Sequence, residues 1–533
     1  MPIPVIDLFA GPGGLGEGFS ALRSPEGTPF FQIVLSIEKE YHAHQTLTLR
    51  SFFRQFPVGE VPDEYYAFIK GMIDLKALYD KWPFQAAAAK NEAWCATLGE
   101  PDEKDTNPVS NEQVDLRINS ALEGRDEWIL IGGPPCQAYS VVGRVRRGDG
   151  MLDASSDKRV DLYTQYLRIL AVHKPSIFVM ENVKGLLSAE TKESSMFTKI
   201  LNDLSNPAVI YPTPGETFGY KIYSLTVNPT QFDENGYPVY KQKDFVIPCE
   251  NYGIPQTRHR IILVGIRDDL TGQPNILNPT DKVNISAVIS DLPRLRSKLS
   301  KGRDHEETWR SSIKELLNLL EAEPIGDEIL AEIREQASQL EQYPFDFGKE
   351  FIECKSNVKC RPDWFSDIRV DGVANHVSRG HMKSDLWRYL YCASFAKVKS
   401  QSPRLSNFPR FLLPNHKNVL RPDGTITKKF EDRFRVQNSD FPSKTITSHI
   451  SQDGHYFIHP DPTQCRSFTV REAARIQTFP DNYFFCGSKT AQFKQVGNAV
   501  PPYLAFQIAR SISEMLTTQN KKASLLEKHE SQN

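Results

Sequence analysis

The sequence predicts an α/β protein: a doubly wound, Rossmann-like, mostly parallel sheet with a second, smaller domain. Three observations predict it. The N-terminus reads as strand, Gly-rich turn and helix start; further short apolar runs each end in residues able to do chemistry; and 533 residues exceed what one hydrophobic core usually holds.

The first element is the apolar strand Val5-Ile6-Asp7-Leu8-Phe9, which breaks into Ala10-Gly11-Pro12-Gly13-Gly14-Leu15-Gly16. A Gly-rich turn between strand and helix lets backbone amides approach a ligand. By itself it suits NAD, FAD, a nucleotide or S-adenosylmethionine, and such turns also occur with no ligand. The next run, Phe31 to Ile37, ends in Glu38, at the separation where an acid accepts hydrogen bonds from ribose hydroxyls. No Lys follows the glycines as a P-loop requires, which argues against a triphosphate.

A third strand, Trp128-Ile129-Leu130-Ile131, runs into Gly132-Gly133-Pro134-Pro135-Cys136-Gln137-Ala138-Tyr139-Ser140. A lone cysteine is by default a small buried hydrophobe. One delivered from a strand end by a Gly-Pro-Pro turn is instead a candidate nucleophile. A zinc deaminase would need a second Cys at position 139, which is Tyr, so no metal is expected here. The thiolate must be produced by the surroundings, because free Cys has a pKa of about 8.5. The stretch Val141 to Gly150, with Arg144, reads as a loop that closes over the site.

Two further runs complete the pattern. Lys174 to Met180 delivers Glu181 to a strand end, where ligands of open parallel sheets sit. Tyr252-Gly253-Ile254-Pro255-Gln256-Thr257-Arg258-His259-Arg260 leads into Ile261-Ile262-Leu263-Val264-Gly265, and period-2 alternation predicts Arg258 and Arg260 on one side. A strand-end Cys, a strand-end Glu and paired Arg make a candidate site.

Composition agrees with a globular enzyme, 39% hydrophobic and 24% charged. No apolar run is long enough for a bilayer span and no signal region precedes the first strand, so a cytoplasmic protein is expected. Eight scattered cysteines argue for reduced thiols, and Cys354 with Cys360 lacks the second pair of a structural metal site. Residues 351–450 hold 18 Lys and Arg against 9 Asp and Glu, although the whole chain carries −2. Between Asp385 and Asp423 there is no acid, while Trp387, Tyr389 and Tyr391 interleave with cations that include Lys397 and Lys399. That pattern predicts a nucleic-acid surface.

The ordered motifs Asp7-Leu8-Phe9-Ala10-Gly11-Pro12-Gly13-Gly14, Glu38, Gly133-Pro134-Pro135-Cys136-Gln137, Glu181-Asn182-Val183, Gln256 to Arg260, Arg471 to Gln477 and Gln495-Val496-Gly497-Asn498-Ala499-Val500-Pro501 closely resemble those of the DNA (cytosine-5)-methyltransferases of bacterial restriction and modification systems. The resemblance implies a class I methyltransferase sheet, S-adenosylmethionine as cofactor, and duplex DNA as substrate. It also implies a restriction endonuclease acting on the same sequence, and a monomer. It places Phe9, Gly11, Gly13, Gly14, Glu38, Pro135 and Asn498 on the cofactor. Asp115, 21 positions before the cysteine, is the candidate adenine-contacting acid. Cys136 becomes the nucleophile that adds to carbon 6 of a flipped cytosine. Glu181 holds N3 and the exocyclic amine, and Arg260 beside Arg258 faces O2. Gln137, Ser140, Arg144, Lys397, Lys399 and the Thr445-Ile446-Thr447 turn are candidate DNA contacts. The implied organisation is a catalytic domain over 1–270 with an insertion at about 51–110 and a variable target-recognition domain over 271–460 with a helical insertion at about 305–342. A return over 461–515 and a flexible tail over 516–533 complete it. Two alternatives stand beside it. One is a transfer-RNA cytosine methyltransferase, against which the long variable region and the missing Cys-Phe-Thr signature argue. The other is a silent DNA-binding homologue, against which the intact motifs argue.

Overall fold

A computed structural model describes residues 1–99, 106–134, 158–188, 196–320, 325–340, 346–415, 419, 425–426 and 431–530. Its central sheet contains β1 (Ile3–Leu8), β2 (Phe31–Glu38), β3 (Ala93–Cys95), β4 (Ile129–Gly132), β5 (Ile177–Val183), β6 (Tyr220–Tyr223), β7 (Val246–Pro248) and β8 (His259–Arg267), ordered β3-β2-β1-β4-β5-β8-β6, with β7 also on β8. The first five are mutually parallel and β8 runs antiparallel to β5, β6 and β7. The strand order reverses at β1, where the Gly-rich turn leaves the sheet.

Both faces of the sheet are apolar, and alternation shows why. Ile6, Leu8, Leu130, Phe178, Met180 and Leu263 point to one face, while Val5, Ile129, Ile131, Val179, Ile262 and Val264 point to the other. Helices α3 (Asn111–Leu122) and α4 (Lys158–His173) cover the first through Val114, Ile118, Tyr166, Leu167 and Leu170. Helix α1 (Gly14–Ala21) covers the second with Leu15 and Phe19, together with the C-terminal helix α9 (Pro502–Glu530). Leu504, Ile508, Ile512 and Leu516 of α9 lie within 5% of full burial, so the chain end completes a core begun by its first strand. The helix runs on to Glu530 where a flexible tail from 516 was expected. Burial of Met515 and Leu516 nucleates it, and the Lys, Glu and Leu that follow favour helix.

The stretch 51–110 is more than an insertion: it contains β3, the edge strand beside β2. Three residues of strand after a run of helices leave little alternating signal. The expected helical segment at 305–342 forms α5 (Glu306–Leu320) and α6 (Asp327–Gln339), which pack with α7 (Lys383–Lys399) around Trp309, Leu316, Ile333, Leu386 and Tyr389. Among the described residues no helix is long and apolar enough to cross a membrane.

Candidate active site

The C-terminal ends of five parallel strands stand level. Leu8 pairs with Ile37 and Gly132, Glu38 with Cys95, and Gly132 with Met180. At the end of β1, Phe9 takes φ 56, a conformation costly for a bulky residue, and turns the chain into the Gly loop. Gly13 caps α1 with φ 96. A Cβ on Gly14 would lie 2.3 Å from the Val500 carbonyl oxygen, so this position admits no side chain while the loop rests on the C-terminal return. The Tyr483 hydroxyl donates to the Pro12 carbonyl from the same return. Tyr483 belongs to no motif, and nothing in the sequence marked it.

Gly11 faces the other way. Among the described residues no atom lies within 4 Å of where its Cβ would stand, and its amide donates to Glu38 Oε2 at 2.8 Å, while the Glu40 amide donates to Oε1 at 2.7 Å. Burial raises the Glu38 pKa above the usual carboxylate range, opposed by those amides. Open space above a Gly turn, with a carboxylate at the next strand end, is the arrangement a ribose needs, so the residues present fit an adenosyl cofactor.

Beneath the loop, Asp7 is 1% exposed. Neither carboxylate oxygen has a well-formed hydrogen bond, and burial pushes its pKa up to about 8. The folded protein therefore keeps a proton that the unfolded chain releases near pH 3.8. The resulting stabilisation is full below that pH and is lost as pH rises toward 8. Asp7→Asn removes the titration and should gain on the wild type by about 1 kcal/mol per pH unit within this window. Urea midpoints at pH 5 and 7.5 check it; a difference that does not change with pH would mean Asp7 is already ionised at both.

On β5, Glu181 reaches over Gly133: a Cβ there would lie 3.0 Å from Glu181 Oε2. Arg260 Nε pairs with Glu181 Oε1 at 2.7 Å, with both side chains less than 15% exposed. The predicted acid and guanidinium thus meet at the end of β4. Pro135, Cys136, Gln137, Ser140 and Arg144, with the expected closing loop 141–150, lie outside the described residues.

Arg258 does not join Arg260. The Arg258 amide donates to the Gln256 carbonyl at 2.9 Å, a two-residue turn that interrupts the alternation on which their pairing rested. Its guanidinium is buried and donates to the carbonyls of Ile446 (2.7 Å), Ala499 (2.9 Å) and Gly497 (3.4 Å). Burial, followed by the Arg260 charge, pulls its pKa down to about 9. Gln256 accepts from the Ile446 amide and donates to Ile476 O and Gln477 Oε1. Gln477 in turn donates to Val496 O and Ala499 O. The segment Gln256–Arg258 is thereby tied to residues more than 180 positions further along the chain. Asn498 lies exposed at the end of the helix Lys489–Asn498, two residues from the Val500 that backs Gly14. Thr445 donates to Thr257 O at 2.7 Å, and Thr447 is exposed beside it.

Two other sequence assignments change. Asp115 takes no place near the Gly loop; its carboxylate binds Arg168 at 2.9 Å and His173 at 2.7 Å. His173 ends the helix leading into β5, and its carbonyl accepts from Trp128 just before β4, so Asp115 lies toward the opposite edge of the sheet. Counting back from the cysteine missed β3, whose end stands beside Glu38 on the sheet edge. Lys397 and Lys399 are paired with Glu332 at 2.7 Å and Glu328 at 2.6 Å, and Lys383 pairs with Glu315. Acids absent from the basic segment are supplied by α5 and α6 packed across it, a compensation invisible to a count along the chain. A cleft of about 920 Å³ opens elsewhere, beside Thr257, Thr445 and Thr447, and is lined also by the exposed Lys444 and by Arg433 and Arg435, which pair with Asp453 and Asp432.

A family model for C-5 cytosine-specific DNA methylases matches residues 88–208 and 221–514. Type II methyltransferase M.Bpa9945I of Bacillus paralicheniformis is 32% identical over 96% of this chain and 99% of its own length. Type II methyltransferase M.DdeI of Desulfomicrobium norvegicum is 25% identical over 96% of this chain and 88% of its length. DNA (cytosine-5-)-methyltransferase M.ApeKI of Aeropyrum pernix is 25% identical over 74% and 83%. With its strand-end motifs assembled on one sheet edge and matched over most of its length, the chain belongs to the C-5 cytosine-specific DNA methylases and is a DNA (cytosine-5-)-methyltransferase of the restriction-modification type.

Proposed function

We propose that the chain methylates carbon 5 of a cytosine flipped out of a specific duplex DNA sequence, through a covalent bond between Cys136 and carbon 6. The observation that carries the reading is the Glu181–Arg260 pair over Gly133, on the same sheet edge as the Gly loop and Glu38. Carbon 5 is a poor nucleophile until a thiolate adds at carbon 6 and makes the ring an enamine. Glu181 would hold N3 and the exocyclic amine, and Arg260 would donate toward O2, both aimed at charge that develops as the thiolate adds. Neither can reach a stacked base, hence the flip. S-adenosylmethionine, when bound, supplies the electrophilic methyl group. Phe9, Gly11, Gly13, Gly14, Glu38 and Asn498 would hold it. After transfer the carbon 5 proton leaves to a base and the thiolate is eliminated. Arg258 would act by positioning the 446 and 497 turns.

Residues 271–460 would read the target, with 461–515 completing the catalytic domain. Contacts to DNA are better placed in the cleft at Thr445 and Thr447 than at Lys397 and Lys399. Replacing those two lysines with Gln should leave the salt dependence of duplex affinity unchanged. Lys444→Gln, at the exposed cation of that cleft, should flatten it by about one unit of log-log slope for the lost phosphate contact. The reverse pattern would return DNA to the basic helix. A cognate endonuclease is proposed from the type II context of the relatives. Labelled methyl transfer to duplex DNA, with bisulfite sequencing of the product, tests the reaction. Transfer to transfer RNA alone, or to no substrate, would overturn it.

A further inference from the structure

We propose that Tyr483 is a positioning residue for the cofactor loop: its hydroxyl sets the plane of the Pro12–Gly13 peptide, and through it the affinity for the adenosyl cofactor. The inference rests on the adenosyl-cofactor reading. Pro12 is buried and stands between Gly11, at φ 57, and Gly13, at φ 96. Its ring fixes its own φ, whereas the glycines on either side are free to rotate. The Pro12–Gly13 plane is therefore little constrained by its own covalent geometry, and two hydrogen bonds hold it. The Gly13 amide donates to the Ala10 carbonyl at 2.9 Å. The Pro12 carbonyl, which points the opposite way across a trans peptide, accepts from the Tyr483 hydroxyl. Without that donor a buried carbonyl is left unsatisfied, and the plane turns to recover a partner. Gly11 turns with it. Its amide is bonded to Glu38 Oε2 at 2.8 Å, so the carboxylate assigned to the ribose shifts as well.

Tyr483 is itself held on every side. It is fully buried, with the ring centroids of Phe479 and Phe485 at 4.8 Å and 5.5 Å from its own. Its carbonyl accepts from Arg471 Nη2 at 2.7 Å. The Arg50 guanidinium lies 4.9 Å from its ring centroid and binds Glu17 through both Nε and Nη2. The Glu17 amide donates to the Gly13 carbonyl at 2.9 Å, so the first turn of α1 and Tyr483 grip the loop from adjacent sides. A Cβ on Gly13 would stand 3.0 Å from the Tyr483 hydroxyl oxygen, which shows how closely the loop rests on it. Burial, ahead of the Glu17 charge, pushes the Tyr483 pKa up and keeps the proton that the hydroxyl donates.

The test compares Tyr483→Phe with the wild-type full chain, since Phe keeps the ring and its packing and removes only the donor. S-adenosylhomocysteine is the probe, with binding read by calorimetry. Affinity for a duplex that the wild type methylates, melting temperature and amide hydrogen exchange of the peptide spanning residues 9–17 are read beside it. The variant should bind the probe about five- to tenfold more weakly, because a loop in its binding form for about a fifth to a tenth of the time lowers apparent affinity by that factor. Exchange in the loop peptide should quicken, while duplex affinity and melting temperature stay close to wild type. In turnover, KM for S-adenosylmethionine should rise by the same factor with kcat little changed. An unchanged affinity for the probe, with or without a lower melting temperature, reduces Tyr483 to a packing residue and overturns the proposal, leaving the cofactor reading standing. An equal loss of probe and duplex affinity overturns it too, because the effect is then not confined to the loop. Absence of probe binding by the wild type overturns the cofactor reading, and this proposal with it.

Discussion

Cys136→Ser should lose methyl transfer by at least about a thousandfold while duplex and cofactor binding stay close to wild type. An alcohol is almost wholly un-ionised at neutral pH, so the addition at carbon 6 that activates carbon 5 does not begin. A duplex with 5-fluorocytosine at the target should trap the wild-type chain covalently, because fluorine cannot leave as the proton does, and the Ser variant should form no adduct. Single-turnover transfer and denaturing electrophoresis measure the two effects. Turnover by the Ser variant near the wild-type rate would remove Cys136 from the mechanism.

The second large effect concerns Arg258, which the sequence offers as a partner of Arg260 and the structure places under the site. Arg258→Met leaves the carbonyls of Ile446 and Gly497 buried without their donor, while that of Ala499 keeps Gln477. An orphaned buried acceptor costs about 1–3 kcal/mol. The unfolding free energy from urea titration should therefore fall by about that much for each one, and transfer should fall with it. Arg260→Lys should behave in the opposite way. A Lys keeps a cation beside the nearly buried Glu181, so stability should change by less than about 1–2 kcal/mol, while loss of the planar guanidinium removes transfer. Equal stability of the two variants would restore Arg258 to the pocket.

The chain ends at the sheet edge were legible before any coordinates. Apart from Asp7, Val5 to Leu8, Ile129 to Ile131 and Ile177 to Met180 are apolar, the mark of strands covered on both faces, and each leads into a candidate site motif. Gly11, Gly13, Gly14, Glu38 and Glu181 were legible for the same reason: a parallel sheet presents its ligand residues where its apolar runs stop. β3 was not, because three residues after a helix give no period to detect. The pairing of Arg258 with Arg260 failed at one turn of backbone, since alternation holds only while the strand is unbroken.

By itself, then, the sequence determined the sheet, the order of its motifs and the reaction they imply, because these depend on residues close along the chain. The tertiary structure alone decided which charges are free. Lys397, Lys399 and Asp115 carry charge in any count, yet each is neutralised by partners 53 to 71 positions away. It also decided that the carbonyl of Val500 closes against Gly14 and that the hydroxyl of Tyr483 reaches Pro12. A Coulombic or hydrogen-bond partner is fixed by distance in space, and a packed chain brings distant segments into contact.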